Sequence, residues 1–232
     1  FLPEYRNMKV KTANGTVPAK NQITIRHLLS MQSGLNYDLD APSILEIKKE
    51  TSNKATTRQV IEALANEPLD FEPGTRFQYS LSHDVLGAVI EVVSGQRLGE
   101  YFADHIFRPL GMKNTGFELT PERKANMSTQ FTYDTDTMTS KPVLNKNRYV
   151  LTENYESGGA GLISTVDDYL LFLDAMCHGG ISKSGYRLLS MESIDLMRQD
   201  QLSGASRQDF DTWNRYGYSY GLGVRTLVEK EK

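Results

Sequence analysis

The 232 residues carry 26 Lys and Arg against 29 Asp and Glu, a net charge of −3, with 39% apolar and 24% charged side chains. Both signs of charge are interspersed, so there is no basic footprint for nucleic acid, and no apolar run approaches the roughly 20 residues of a membrane-spanning helix. Cys177 is the single cysteine, which excludes an internal disulfide framework and is expected to be a buried thiol, and His27, His83, His105 and His178 lack ligand spacing, so no metal is assigned.

The length suits one large domain or two small ones with a real core. Phe1 stands where an initiating Met would, and the chain is read as an excerpt or processed piece of a longer protein. Residues 1–22 are polar and expected to be irregular. Thr24 can cap a short helix through Leu28, Leu29 and Met31 that ends at Ser33 and Gly34, and the polar loop after it exposes Tyr37 and Asp38. A capping box, Thr56 to Gln59, starts a second helix carrying Val60, Ile61 and Leu64.

Residues 71–95, FEPGTRFQYSLSHDVLGAVIEVVSG, organise the rest. Pro73-Gly74 is a turn, and Val85, Leu86, Val89, Ile90, Val92 and Val93 recur at helical spacing, with Ser80 or Ser82 as N-cap and Gly95 as stop. A helix so apolar is expected to be buried. Tyr79 therefore enters a buried helix, where a side chain can be held still and aimed into a cleft.

A further helix carries Leu98, Tyr101, Phe102 and Ile106 to Pro109-Leu110-Gly111. Residues 118–157 read as a long polar stretch with one hairpin near Phe131 to Thr139, a length that suits a functional or mobile loop. Gly158, Gly159, Ala160 and Gly161 allow close backbone approach before a helix through Tyr169, Leu170, Phe172, Leu173 and Met176. A last helix spans about 190–199, and Tyr216 to Val228 alternates as one half-buried strand. Such a strand would offer an unpaired edge for a strand-mediated dimer.

A phosphate loop of the GxxxxGK[ST] or GxGxxG type is absent, as is a GxSxG turn. Asp167 and Asp168 fit the dipole of a helix start better than acid–base work. Tyr79 remains as the candidate.

The ordered segments HLLSMQSGL (27–35), PGTRFQYSLSHDVLGAVIEVVSG (73–95), HIFRPLGMKNTGF (105–117) and GGAGLISTVDDYLLFL (158–173) resemble the serine β-lactamase and penicillin-recognising family, which includes class C-like β-lactamases, DD-peptidases, D-aminopeptidases and carboxylesterases. The resemblance implies an α+β, β-lactamase/transpeptidase-like fold, with residues 1–215 as its mainly helical region and 216–232 as a truncated strand of its sheet. It also implies a serine hydrolase without organic cofactor that acylates its nucleophile and then hydrolyses the acyl-enzyme. In that family the apparatus is Ser-x-x-Lys, Tyr-x-Asn and Lys-Thr-Gly or His-x-Gly. Only the second is matched, by Tyr79-Ser80-Leu81, which makes Tyr79 the proton-relaying residue.

Leu81 stands where an Asn would bind an amide-bearing substrate, which points to ester hydrolysis. Tyr37, Asp38 and Ala160 match positions lining the family's substrate cleft. Thr51-Ser52-Asn53-Lys54, Lys11-Thr12-Ala13 and His178-Gly179-Gly180 imitate the other motifs in the wrong places. The partner expected is a small ester, amide or peptide. The alternatives are a DD-peptidase or β-lactamase proper, and a non-catalytic binding or sensing module that keeps the fold.

Overall fold

A computed structural model describes residues 1–143, 147–212 and 216–228. After a 3-10 turn, Pro3–Asn7, come the hairpin strands β1 (Lys9–Thr12) and β2 (Gly15–Pro18), and helices α1 (Ile25–Leu29), α2 (Pro42–Glu50), α3 (Thr57–Leu64) and α4 (Ser82–Ser94). Helices α5 (Leu98–Phe102) and α6 (Arg108–Leu110) are joined by a π-helical turn, Ala103–Phe107. Then follow α7 (Pro121–Asn126), the hairpin β3 (Phe131–Asp134) and β4 (Thr139–Pro142), α8 (Val166–Cys177), α9 (Met191–Arg198), α10 (Gly204–Asp211), and the hairpin β5 (Tyr218–Tyr220) and β6 (Arg225–Leu227).

The main core forms where one face of α3 meets α4 and the N-terminal turn. Val60, Ile61 and Leu64 of α3 and Val85 and Ala88 of α4 are buried there. Each fully buried aliphatic side chain of this kind contributes about 1.5–3 kcal/mol. The Thr56–Gln59 capping box forms in full and satisfies donors at the start of α3. In a second cluster Phe77 meets Phe210 edge-on at 5.3 Å and Tyr220 at 5.4 Å, which ties the C-terminal elements to the segment just before Tyr79. A third cluster packs Phe107, Leu110 and Met112 against Ala175 of α8.

Several expectations need correction. Residues 1–22 are ordered into a turn and the β1–β2 hairpin, whose single inward residue, Val10, left no alternation to read. Helix α2 arises where no element was expected, between the loop around Tyr37 and the helix begun at Thr56, with Pro42 at its first position, and α10 follows the helix expected to be last. Residues 216–228 are a hairpin and not one strand. Gly223 turns the chain at φ +77°, and a Cβ on Gly221 would fall 2.0 Å from the Met197 carbonyl. The unpaired strand from which a dimer was expected therefore has a partner in β6.

Helix α4 is buried over its first half only, for Val93 is 64% exposed. Cys177 is exposed, because it ends α8 on the outward stripe that includes Val166, Leu170 and Leu173. Trp213, whose sequence context suits a sheet or core residue, lies outside the described residues. No described helix is long and apolar enough to cross a membrane.

Candidate active site

Tyr79 is carried by an extended segment laid against residues 31–36. Gly74 N–H donates to the Gln32 carbonyl (2.8 Å), Gln78 N–H to Met31 (3.0 Å) and Leu81 N–H to Asn36 (3.1 Å). Below them a buried serine ladder cross-links the two segments, with Ser82 Oγ 2.7 Å from both Ser33 Oγ and Ser80 Oγ. These hydroxyls are spent on one another and on the Leu35 N–H, which makes them structural. Neither Ser80 nor Ser82 occupies the N-cap of α4, where Leu81 stands without a side-chain cap.

With Phe77, Ser80 and Leu81 turned inward, Gln78 and Tyr79 face out. Tyr79 is 41% exposed and lines a hollow of about 420 Å³ together with Asp70, Gln78, Arg76 and Asp209. The Arg76 guanidinium grips Asp209, which also accepts from Phe77 N–H (3.0 Å), and holds that carboxyl below the usual range. Burial pushes Asp70 up, but hydrogen bonds from Lys11, Gln78 and Asn36 together hold it low. The floor of the hollow is thus polar, with each of these two carboxylates paired to a cation.

Beside the hollow the Tyr79 ring stacks on Tyr37, with centroids 5.7 Å apart and planes within 3°, and Tyr149 stands edge-on to Tyr37 at 5.8 Å. Burial, then the charge of Asp84 and the neighbouring phenols, raises the Tyr37 phenol, so it stays neutral. Behind it, Asp84 Oδ1 accepts from Tyr155 Oη (2.7 Å) and Ser157 Oγ (2.6 Å). Burial and that carboxylate raise Tyr155 well above the ordinary phenol range. Ala160 N–H donates to Ser157 Oγ (3.0 Å), and its carbonyl accepts from Asn147 (3.3 Å).

The structure thus joins Tyr37 to Tyr79 directly, and places Ala160 on the loop behind Tyr37. Asp38 is not drawn in by any hydrogen bond to them: it is exposed and caps its own loop by accepting from Asp40 N–H (3.0 Å). Leu81 is corrected as a substrate contact. It is 2% exposed and packs in the main core, because its backbone closes the turn into α4 and sends the side chain inward.

Tyr149, Asp84, Tyr155 and Ser157 were not found from the sequence. Only Asp84 left a trace, as an acid in the first turn of an otherwise apolar helix, where the helix dipole already explained it. The imitation motifs fall apart: Lys11 and Thr12 lie in β1, Ser52 and Asn53 form a left-handed turn, and Gly179 and Gly180 end α8. Among the described residues no three His, Cys, Asp or Glu side chains converge as metal ligands.

A family model described as Beta-lactamase matches residues 2–229. The chain belongs to the beta-lactamase family. Beta-lactamase-family relatives include Protein Rv1367c of Mycobacterium tuberculosis, 31% identical over 222 residues that cover 94% of this chain and 55% of that protein. Esterase EstB of Burkholderia gladioli is 30% identical over 245 residues, covering 94% and 57%. Among solved structures, EstCE1, described as a hydrolase with promiscuous acyltransferase activity, superposes with a TM-score of 0.71 at 31% identity, covering 98% of this chain and 61% of its own. The chain therefore has the α+β, beta-lactamase/transpeptidase fold, and it spans a little over half the length of these relatives.

Proposed function

We propose that the protein carrying this chain is a beta-lactamase-family serine hydrolase that acts through an acyl-enzyme and favours esters over amides. The serine oxygen attacks the ester carbonyl and the alcohol leaves with a proton. Water then releases the acid and restores the hydroxyl. Tyr79 carries the protons of these steps. The chain has no Ser-x-x-Lys, so the nucleophile is assigned to residues of the protein beyond these 232. A phenol with an ordinary pKa near 10 is only about a thousandth ionised at pH 7, so a tyrosine base depends on cationic neighbours. The family's two lysines, in motifs this chain lacks, would be those neighbours.

The observation that carries the proposal is the half-exposed Tyr79 ring, fixed by the bonded segment beneath it and open to a hollow. The ester preference is supported by the similarity to proteins described as an esterase and a hydrolase. The contiguous rings of Tyr79, Tyr37 and Tyr149 suit an apolar or planar acyl group.

The complete protein should be incubated with a fluorophosphonate and with a chromogenic ester. Labelling of one serine within a Ser-x-x-Lys outside residues 1–232, together with ester turnover, is expected. Absence of both labelling and turnover would overturn the proposal in favour of a non-catalytic binding module.

A further inference from the structure

Asp84 lies in the first turn of α4, five residues after Tyr79, and is 1% exposed. The helix dipole favours an acid there, but it does not call for hydroxyls from 71 and 73 residues away in sequence, which Tyr155 and Ser157 supply. Ser157 passes the tie onward, accepting from Ala160 N–H at its Oγ and from Gly161 N–H at its carbonyl (3.2 Å). The loop also lies directly on the helix: a Cβ on Gly158 would sit 2.3 Å from the His83 carbonyl. Asp84 Oδ2 is buried without a hydrogen-bond partner. A Cβ on Gly159 would lie 2.8 Å from that oxygen and 3.8 Å from the Tyr37 hydroxyl, so carboxylate, loop and Tyr37 meet at one point behind the ring that stacks on Tyr79.

We propose that Asp84 is a positioning residue of the cleft wall: by clamping residues 157–161 to α4 it sets where Ala160 and Tyr37 meet the acyl group of the substrate. The inference rests on the hydrolytic function proposed above. Tyr79 is held by different bonds, those to residues 31–36, so loss of the clamp should move the wall and leave the proton-relaying phenol in place.

Asp84→Ala in the complete protein should raise KM for a chromogenic aryl ester about tenfold with kcat within about twofold. Asp84→Asn keeps an acceptor for both hydroxyls and should bring KM back to within about threefold of wild type. Hydrogen exchange of the Ala160 and Gly161 amides should accelerate in Asp84→Ala and stay slow in Asp84→Asn. Ser157→Ala, which removes one donor and leaves the helix intact, should shift exchange and KM in the same direction and carries the test if Asp84→Ala does not fold. Unchanged exchange across 157–161, or a loss of kcat at constant KM, would overturn the proposal. An inactive wild type would instead remove the hydrolytic function, and exchange would then decide the clamp on its own.

Discussion

Tyr79 and Leu81 are two residues apart and face opposite ways, one toward a hollow and the other into the core. The chain reverses from an extended segment into α4 between them, and that turn decides which side chain substrate can meet. Restoring the family's asparagine at this one position should therefore not create a peptidase. Leu81→Asn would bury an amide where a leucine packs, and is expected to destabilise by about 3 kcal/mol or more. Urea unfolding of the two proteins, with turnover of a D-alanyl peptide beside it, measures both outcomes. A stable variant with new peptidase activity would show that residue 81 reaches the cleft. Asp84 is the other residue-scale surprise, legible only as a helix-start acid, because its partners Tyr155 and Ser157 come from more than seventy residues away.

At the scale of elements, α4 and the glycine loop are packed backbone to backbone. Gly87 of α4 faces Gly158 of the loop, where a Cβ on Gly87 would lie 3.5 Å from the Gly158 Cα. Gly158→Ala should cost about 2–3 kcal/mol, since the clashing atom is a main-chain carbonyl that cannot move alone. A melting temperature within 1 °C of wild type would contradict the contact.

His83, also in the first turn of α4, titrates below the ordinary histidine range because it is buried, although the Leu29 carbonyl pushes the other way. The unfolded chain binds this proton more readily than the folded one. The stability contributed by the neutral ring is thus full above the unfolded pKa of about 6.5 and falls as pH drops from there toward the lower folded value. His83→Gln should flatten the decline in unfolding free energy between pH 7.5 and 5.5. Part of the slope should remain, because burial also lowers His27. An identical slope in the variant would contradict the assignment.

Elements announced by local chemistry were readable in advance. The Thr56–Gln59 box, Thr24 at α1 and Gly95 at the end of α4 act within a few residues of themselves. What failed was set by distant packing: α2 and α10 bury only two residues each, too few to leave a period, and β5–β6 turns on glycines fitted against the chain near Met197.

Across the whole molecule, three hydrophobic clusters hold the segments whose order carried the family resemblance. Segment order survives in sequence because each piece keeps its own motif. The fold class was legible from that order, and Tyr79 is the site residue it proposes, whereas the cluster of tyrosine rings was not legible, since stacking of Tyr37 on Tyr79 and the approach of Tyr149 exist only once residues 37, 79 and 149 are brought together. The chain spans a little over half of its relatives' length, so chemistry at Tyr79 is tested in the complete protein.

In the proposed reaction the Tyr79 hydroxyl moves protons for an acylated serine. The most direct measurement compares wild type and Tyr79→Phe in turnover of a chromogenic ester, with binding and folding followed alongside. Because general acid–base groups contribute about 10²–10⁴-fold, kcat should fall at least about a hundredfold while KM and the melting temperature stay near wild type. Equal turnover by the phenylalanine variant would contradict the account.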